Sequence, residues 1–125
     1  MELLKLETDH LVIISAYKPS NAEFRWPSDF DVSCKSHLVI GEFNSHSTQW
    51  GYNEDNQNGE NAIMWAINND LTLLYESKDP PTFSSARWKR GYNPDLVLIS
   101  NNRRQVFQRN VLDHIPRSQH RHVEV

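Results

Sequence analysis

Leu38-Val39-Ile40-Gly41-Glu42-Phe43-Asn44 is the stretch on which the reading of this chain turns. Its apolar run, rich in β-branched side chains, predicts a strand covered on both faces, His37 to Gly41, with Gly41 ending it. Directly after the strand, Glu42 and Asn44 stand two residues apart. In extended backbone that spacing points both side chains to the same side. A carboxylate so placed can take a proton from water or hold a hard cation, and a neighbouring carboxamide can orient that water or donate to developing negative charge. A turn-forming Asn beside a surface Glu would read the same way, so the pair draws its meaning from what surrounds it.

On either side, more short apolar runs alternate with polar loops. Leu11 to Tyr17 is nearly continuous and β-branched, which predicts a strand buried on both faces and stopped by Lys18-Pro19-Ser20-Asn21. Between Asn58 and Asp70 the period changes, with Ile63, Ala66, Ile67 and Leu71 at helical intervals and Asn58 as a candidate N-cap. Leu71 to Tyr75 predicts a strand, Pro80-Pro81 a stop, and Asp95 to Ser100 another buried strand. His122 to Val125 would supply the last. Buried strands alternating with a helix make a layered α/β architecture.

The 125 residues suffice for one domain, and a mean hydropathy of −0.69 makes its core thin. Four Trp, four Tyr and five Phe argue against disorder. No apolar run approaches the roughly 20 residues of a membrane span. Met1-Glu2-Leu3-Leu4-Lys5 lacks the order of a signal peptide, so the sequence reads as that of a soluble, intracellular protein. Cys34, the single cysteine, excludes an internal disulfide and reads as a half-buried structural thiol. Charge is unevenly spread: residues 1–86 balance to −8 and residues 87–125 to +5. Seven of the eight cations in the basic part are Arg, the side chain that matches phosphate bidentately. A solvated basic face and a phosphate-bearing partner are both consistent with that pattern.

Taken in order, four segments resemble one family. They are Ile14-Ser15-Ala16-Tyr17-Lys18-Pro19; Val39 to His46 with Trp50-Gly51; Pro94-Asp95-Leu96-Val97-Leu98-Ile99-Ser100; and Ser118-Gln119-His120-Arg121. They resemble the endonuclease/exonuclease/phosphatase (DNase I-like) fold, and within it the apurinic-type endonuclease domain of jockey-like non-LTR retrotransposons. The family's pattern runs Tyr-x-Pro, Gly-Asp-Phe-Asn, an Asp-led strand, then Ser-Asp-His. The continuation through His46, Trp50 and Gly51 is typical of the transposon branch. The resemblance implies a two-sheet α/β sandwich of which this chain is a part. It covers only about the C-terminal half of the family's domain, so residues 1–125 are expected to be the C-terminal part of a single domain whose N-terminal half is absent. That half normally brings an Asn and a Glu, the Glu being the principal Mg²⁺ ligand.

Residue by residue, the resemblance implies that Tyr17 contacts the scissile phosphate, although an aromatic at a strand end can equally pack on the core. Glu42 stands where the family has the Asp that activates water. The extra methylene displaces the carboxylate by roughly 1 Å, and such a misplacement can cost about 100-fold in rate. Asn44 matches unchanged, and Asp95 matches the buried acid that orients the family His. Asp95 could otherwise be a surface acid in the Asn93-Pro94-Asp95 turn. Two histidines compete for the terminal position. His120 is preferred because a strand-like tail follows it; Gln119 then replaces the family Asp and becomes a weak metal ligand beside Glu42. The alternative, Asp113 with His114, restores the Asp-His dyad but leaves a longer tail.

Arg87, Lys89 and Arg90, interleaved with Trp88 and Tyr92, are candidate DNA contacts or a solvated loop. Trp65 and Trp88 read as packing residues. A zinc site of His46, His114, His120 and His122 lacks a recognisable ligand spacing. Two readings of function follow. In one, the chain belongs to a Mg²⁺-dependent phosphodiesterase that nicks DNA, nuclear if it acts on genomic DNA and followed in a parent polyprotein by a reverse transcriptase. In the other, it is a degenerate remnant that at most binds nucleic acid.

Overall fold

A computed structural model describes residues 1–30, 36–85, 90–103, 107–114 and 119–125, without the side chains of 103, 113 and 114. Its centre is a five-stranded sheet. Strands β1 (Glu2–Glu7), β2 (Val12–Tyr17), β3 (His37–Glu42), β4 (Leu71–Leu73) and β7 (Asp95–Ser100) lie in the order β1-β2-β3-β7-β4. Strands β2 and β3 run parallel, and the other pairs are antiparallel. Two ribbons complete the β-structure: β5 (Phe83–Ser85) with β6 (Arg90–Tyr92), and β8 (Asn110–His114) with β9 (Arg121–Glu124). The single α-helix among the described residues, α1 (Gln57–Asn68), packs on one face of the sheet.

The β-branched runs become strands because their side chains fill both sides of the sheet. Val12, Ile14, Ala16, Val39, Leu96 and Leu98 meet Ala62 and Ala66 of α1 together with Phe24, Phe43 and Trp50. Leu38, Val97 and Ile99 point the other way, towards Phe107 and Val123. Each of the fully buried Ile14 and Ile99 contributes about 2 kcal/mol by leaving water. Trp65 packs as expected, stacked on Trp26 at a centroid distance of 4.2 Å. Cys34 and Trp88 lie outside the described residues.

Several local expectations need correction. Strand β2 is not buried on both faces: Val12, Ile14 and Ala16 are buried, whereas Ser15 and Tyr17 are exposed, because only the α1 side of this strand is fully covered. The helix is capped by Asn56, not Asn58; the Asn56 side chain accepts from the Gly59 amide at 2.8 Å. Asn58 instead accepts from the Phe24 amide at 2.7 Å and so ties the loop after β2 to the helix. Strand β4 stops at Leu73, short of Tyr75, and the last strand is Arg121–Glu124, one residue earlier than its apolar residues suggested. Strand β1, absent from the sequence reading, pairs along all of β2 and leaves Leu4 and Leu6 exposed at the sheet edge.

Gly41 sits where β3 comes closest to β2. Its φ is +153°, and a Cβ there would stand 1.7 Å from the carbonyl oxygen of Ala16, its register partner. The contact is backbone on backbone, so no rotamer change relieves it. Gly41→Ala is expected to lower stability by about 3 kcal/mol or more, read as a lower urea midpoint at unchanged m-value. An unchanged midpoint would show that β2 and β3 do not approach as described.

Candidate active site

Three strand ends meet in one row. Tyr17 closes β2, Glu42 closes β3 and Asp95 opens β7, and the register pairs Tyr17 with Glu42 and Glu42 with Asp95. Residues paired across a sheet share a face, so two carboxylates and a phenol stand side by side. Like charges opposed in this way work against folding, and the remaining polar residues are arranged around them.

One arm of the site follows β3. The Phe43 amide donates to the Pro94 carbonyl at 2.7 Å, and the Phe43 ring is fully buried, which turns the chain at Asn44. Asn44 has a φ of +43°, a left-handed conformation that Asn tolerates better than most residues. From there its Nδ2 donates to the Lys18 carbonyl at 2.8 Å and to Glu42 Oε1 at 3.2 Å. Glu42 and Asn44 do share a side, but through a turn and not through continued extended backbone. The Trp50 indole donates to the Ser45 carbonyl at 2.8 Å and pins the loop beyond Asn44.

Lys18 was read only as part of a strand stop. It is fully buried, with Nζ donating to the carbonyls of Ala22 at 2.8 Å and Pro19 at 3.1 Å. Burial lowers its pKa, as it does for ammonium groups generally. Its charge, together with burial as the larger cause, also lowers that of His46. His46 stacks on Tyr52 at 4.2 Å and Tyr52 on Tyr92 at 5.5 Å. Burial, then the charge of Asp95, raises the Tyr52 phenol far above its usual range. No periodicity marks Lys18, and only its tertiary partners reveal it.

The other arm is Asp95 with His120. His120 Nδ1 lies 3.6 Å from Asp95 Oδ2, and the His120 ring meets Phe83 edge-on at 4.9 Å. Backbone bonds hold the histidine there: the Ser84 amide donates to the Gln119 carbonyl at 2.8 Å, and the Arg121 amide to the Thr82 carbonyl at 2.7 Å. Burial raises the Asp95 pKa, opposed by the Thr82 hydroxyl and His120, and assisted by the charge of Glu42. Asp95 is therefore no surface acid of a turn.

A cleft of about 540 Å³ opens along the first arm, lined by Tyr17, Glu42, Asn44, His46, Tyr52 and Phe83 among others. Asp95 and His120 are not among its lining residues: Asp95, the register partner of Glu42, lines a second pocket of about 210 Å³ with Gly41, Val97 and Arg121, and His120 packs against Phe83. His114 lies in β8 with Arg121 as its register partner, and Asp113 precedes it. Gln119 is exposed. Arg90 is exposed on β6 with its guanidinium 5.7 Å from the Tyr92 ring centre, whereas Arg87 and Lys89 lie outside the described residues.

Among the described residues no three His, Cys, Asp or Glu side chains cluster as a metal centre requires. For Mg²⁺, a cation that favours six oxygen ligands, Glu42 offers a carboxylate with one oxygen already held by Asn44. The described donors therefore do not make a complete magnesium shell. No helix among the described residues is long and apolar enough to cross a membrane.

A protein-family model described as endonuclease-reverse transcriptase matches residues 11–124. No curated protein matches the chain. Seven chains of solved structures do. One is the endonuclease domain of TRAS1, a telomere-specific non-LTR retrotransposon, with a TM-score of 0.74 and 17% identity over 97% of this chain and 58% of that one. At that identity the likeness is one of fold, and the α/β architecture expected from the sequence agrees with it. The chain spans 58% of the length of that solved domain.

The raised pKa of Asp95 has a sign that can be tested. The folded protein holds this proton more tightly than the unfolded chain, whose value is near 3.8, so Asp95 subtracts stability as pH rises through and above its folded pKa. Asp95→Asn is expected to melt higher than the parent at neutral pH, with the gain vanishing below the unfolded value. A variant that melts lower at neutral pH would show that its tie to His120 outweighs burial.

Proposed function

The chain belongs to the endonuclease-reverse transcriptase family, whose model spans residues 11–124, and on that premise we propose that its cleft is the phosphate-facing part of a DNA-nicking phosphodiesterase site. The observation that supports this reading most is the shared row of strand ends, where the Glu42–Asn44 contact and the Asp95–His120 pair meet across β3 and β7. In this reading the Glu42 oxygen not held by Asn44 takes the proton of the attacking water. Asn44 fixes the carboxylate, and because its two amide hydrogens go to Glu42 and to the Lys18 carbonyl, it donates to the charged phosphate only by exchanging one of these bonds. Asp95 faces His120 Nδ1, so that in a ring protonated at both nitrogens Nε2 donates to a phosphoryl oxygen. The Tyr17 hydroxyl reaches a non-bridging oxygen from the neighbouring strand end.

Mg²⁺, implied by the family resemblance, would stabilise negative charge on the phosphate, a contribution of several kcal/mol. Glu42, with Gln119 as a weak second, is the candidate ligand in this chain, and further ligands would have to be supplied by other residues. The proposed parent is a retrotransposon-type protein in which a reverse transcriptase accompanies the nuclease and genomic DNA in the nucleus is the substrate. Arg90, with Arg87 and Lys89, would follow the DNA backbone. In the second reading the chain is a degenerate remnant that at most binds nucleic acid.

Purified alone, the chain is expected to leave supercoiled plasmid intact in Mg²⁺. Fused to an upstream segment carrying the family's Asn and Glu, it should nick, and His120→Ala should reduce that rate by about 100-fold or more. A fusion that folds and binds DNA but never nicks would favour the remnant. Robust nicking by the chain alone would overturn the expected need for an outside ligand.

A further inference from the structure

Asn93 was read only as part of a turn, yet its side chain is buried and works in two directions. Its Nδ2 donates to the Trp50 carbonyl at 3.2 Å, and its Oδ1 accepts from the Thr82 amide at 3.3 Å. Each partner belongs to a different arm of the site. Trp50 is the residue whose indole pins the loop after Asn44, and Gly51, with a φ of +88°, leaves the space beside the Asn93 amide that a side chain would take. Thr82 is fully buried, and its carbonyl accepts from the Arg121 amide, next to His120. Its hydroxyl and Asp95 Oδ2 are both buried, and neither has a hydrogen bond of ordinary length among the described residues. The Thr82 hydroxyl and His120 favour the charged form of the Asp95 carboxyl, and the charge of Glu42 opposes it.

We infer that Asn93 is a positioning residue whose carboxamide clips the Trp50 turn to Thr82, and so sets the Asp95–His120 pair against the Glu42–Asn44 arm. The clip works because both of its bonds are buried. Removing the carboxamide strands the Trp50 carbonyl and the Thr82 amide away from water, and neither has an equivalent partner nearby. Thr82 then shifts, and Phe83, which forms a bridge with His120, shifts with it. The Trp-Gly pair thereby has a structural task, one half anchoring the loop and the other admitting the clip. The meaning of the clip for catalysis rests on the proposed nuclease reading; its geometry does not.

The test is the ring ¹⁵N spectrum of His120 in the full chain, assigned by its loss in His120→Ala. With Asp95 facing Nδ1, the neutral ring is expected as the Nδ1–H tautomer. Asn93→Leu, of similar size but without polar atoms, should lose that signature, whereas Asn93→Asp, which keeps the acceptor for the Thr82 amide, should retain it. Ala66→Gly, a destabilising change in α1 remote from the clip, should leave the signature unchanged. If Asn93→Leu does not fold, Thr82→Val tests the last link and should lose the same signature. An unchanged His120 in folded Asn93→Leu or in Thr82→Val, or an equal change in Ala66→Gly, would overturn the proposal. Loss of the signature in a chain whose completed domain never nicks DNA would sink the nuclease reading and leave the clip standing.

Discussion

The structure depends on the contact between two backbones at Gly41. Strand β3 lies against β2 so closely that the Ala16 carbonyl occupies the place of a side chain, and this packing holds the parallel register of Tyr17 with Glu42. The antiparallel partner β7 then brings Asp95 level with Glu42 from the other side. Every polar group of the candidate site is placed relative to that row. A register slip of one residue on β3 would send Glu42 to the opposite face and leave Asn44 beyond the reach of Lys18.

The row costs stability, and the surrounding residues compensate only in part. Two carboxylates stand opposite each other, Asn44 holds a left-handed backbone and Lys18 keeps an ammonium out of water. Local conflicts of this kind gather where a fold serves something besides its own stability. Core positions on the α1 side carry no such conflict. There Ile14, Val39, Leu96 and Leu98 pack against Ala62 and Ala66 with apolar contacts alone.

Composition was informative wherever burial on the sheet decided the outcome. Asp95–Ser100 could be read to the residue because four consecutive apolar side chains fill both faces, and Leu38-Val39-Ile40 marked β3 for the same reason. Strand β1 was hidden because Glu2, Lys5 and Glu7 interrupt its leucines, as an edge strand permits. The three-residue strands β5 and β6 carry too few side chains for any period. Asn58 suited an N-cap by sequence, but its side chain is taken by the Phe24 amide, and Asn56 caps the helix instead. In the candidate site, Glu42, Asn44, Asp95 and His120 were singled out by resemblance to the family's motifs, at or near strand ends. Lys18, Thr82 and Asn93 were not: the ammonium of Lys18 is held by the nearby carbonyls of Pro19 and Ala22, Asn93 and Thr82 have partners distant in sequence, and a buried Lys or Asn looks like a surface one until the chain is folded.

The central claim is that the two arms, joined across β3 and β7, form one phosphate-facing site. It is tested most directly by titrating the ¹⁵N-labelled chain with a thymidine dinucleotide, the smallest ligand that carries a phosphodiester, and following side-chain signals. The account predicts that the Asn44 carboxamide and the ring nitrogens of His46 and His120 shift together along a single binding curve. Shifts confined to α1 or to the β8–β9 ribbon, with Asn44 and His120 unmoved, would contradict it.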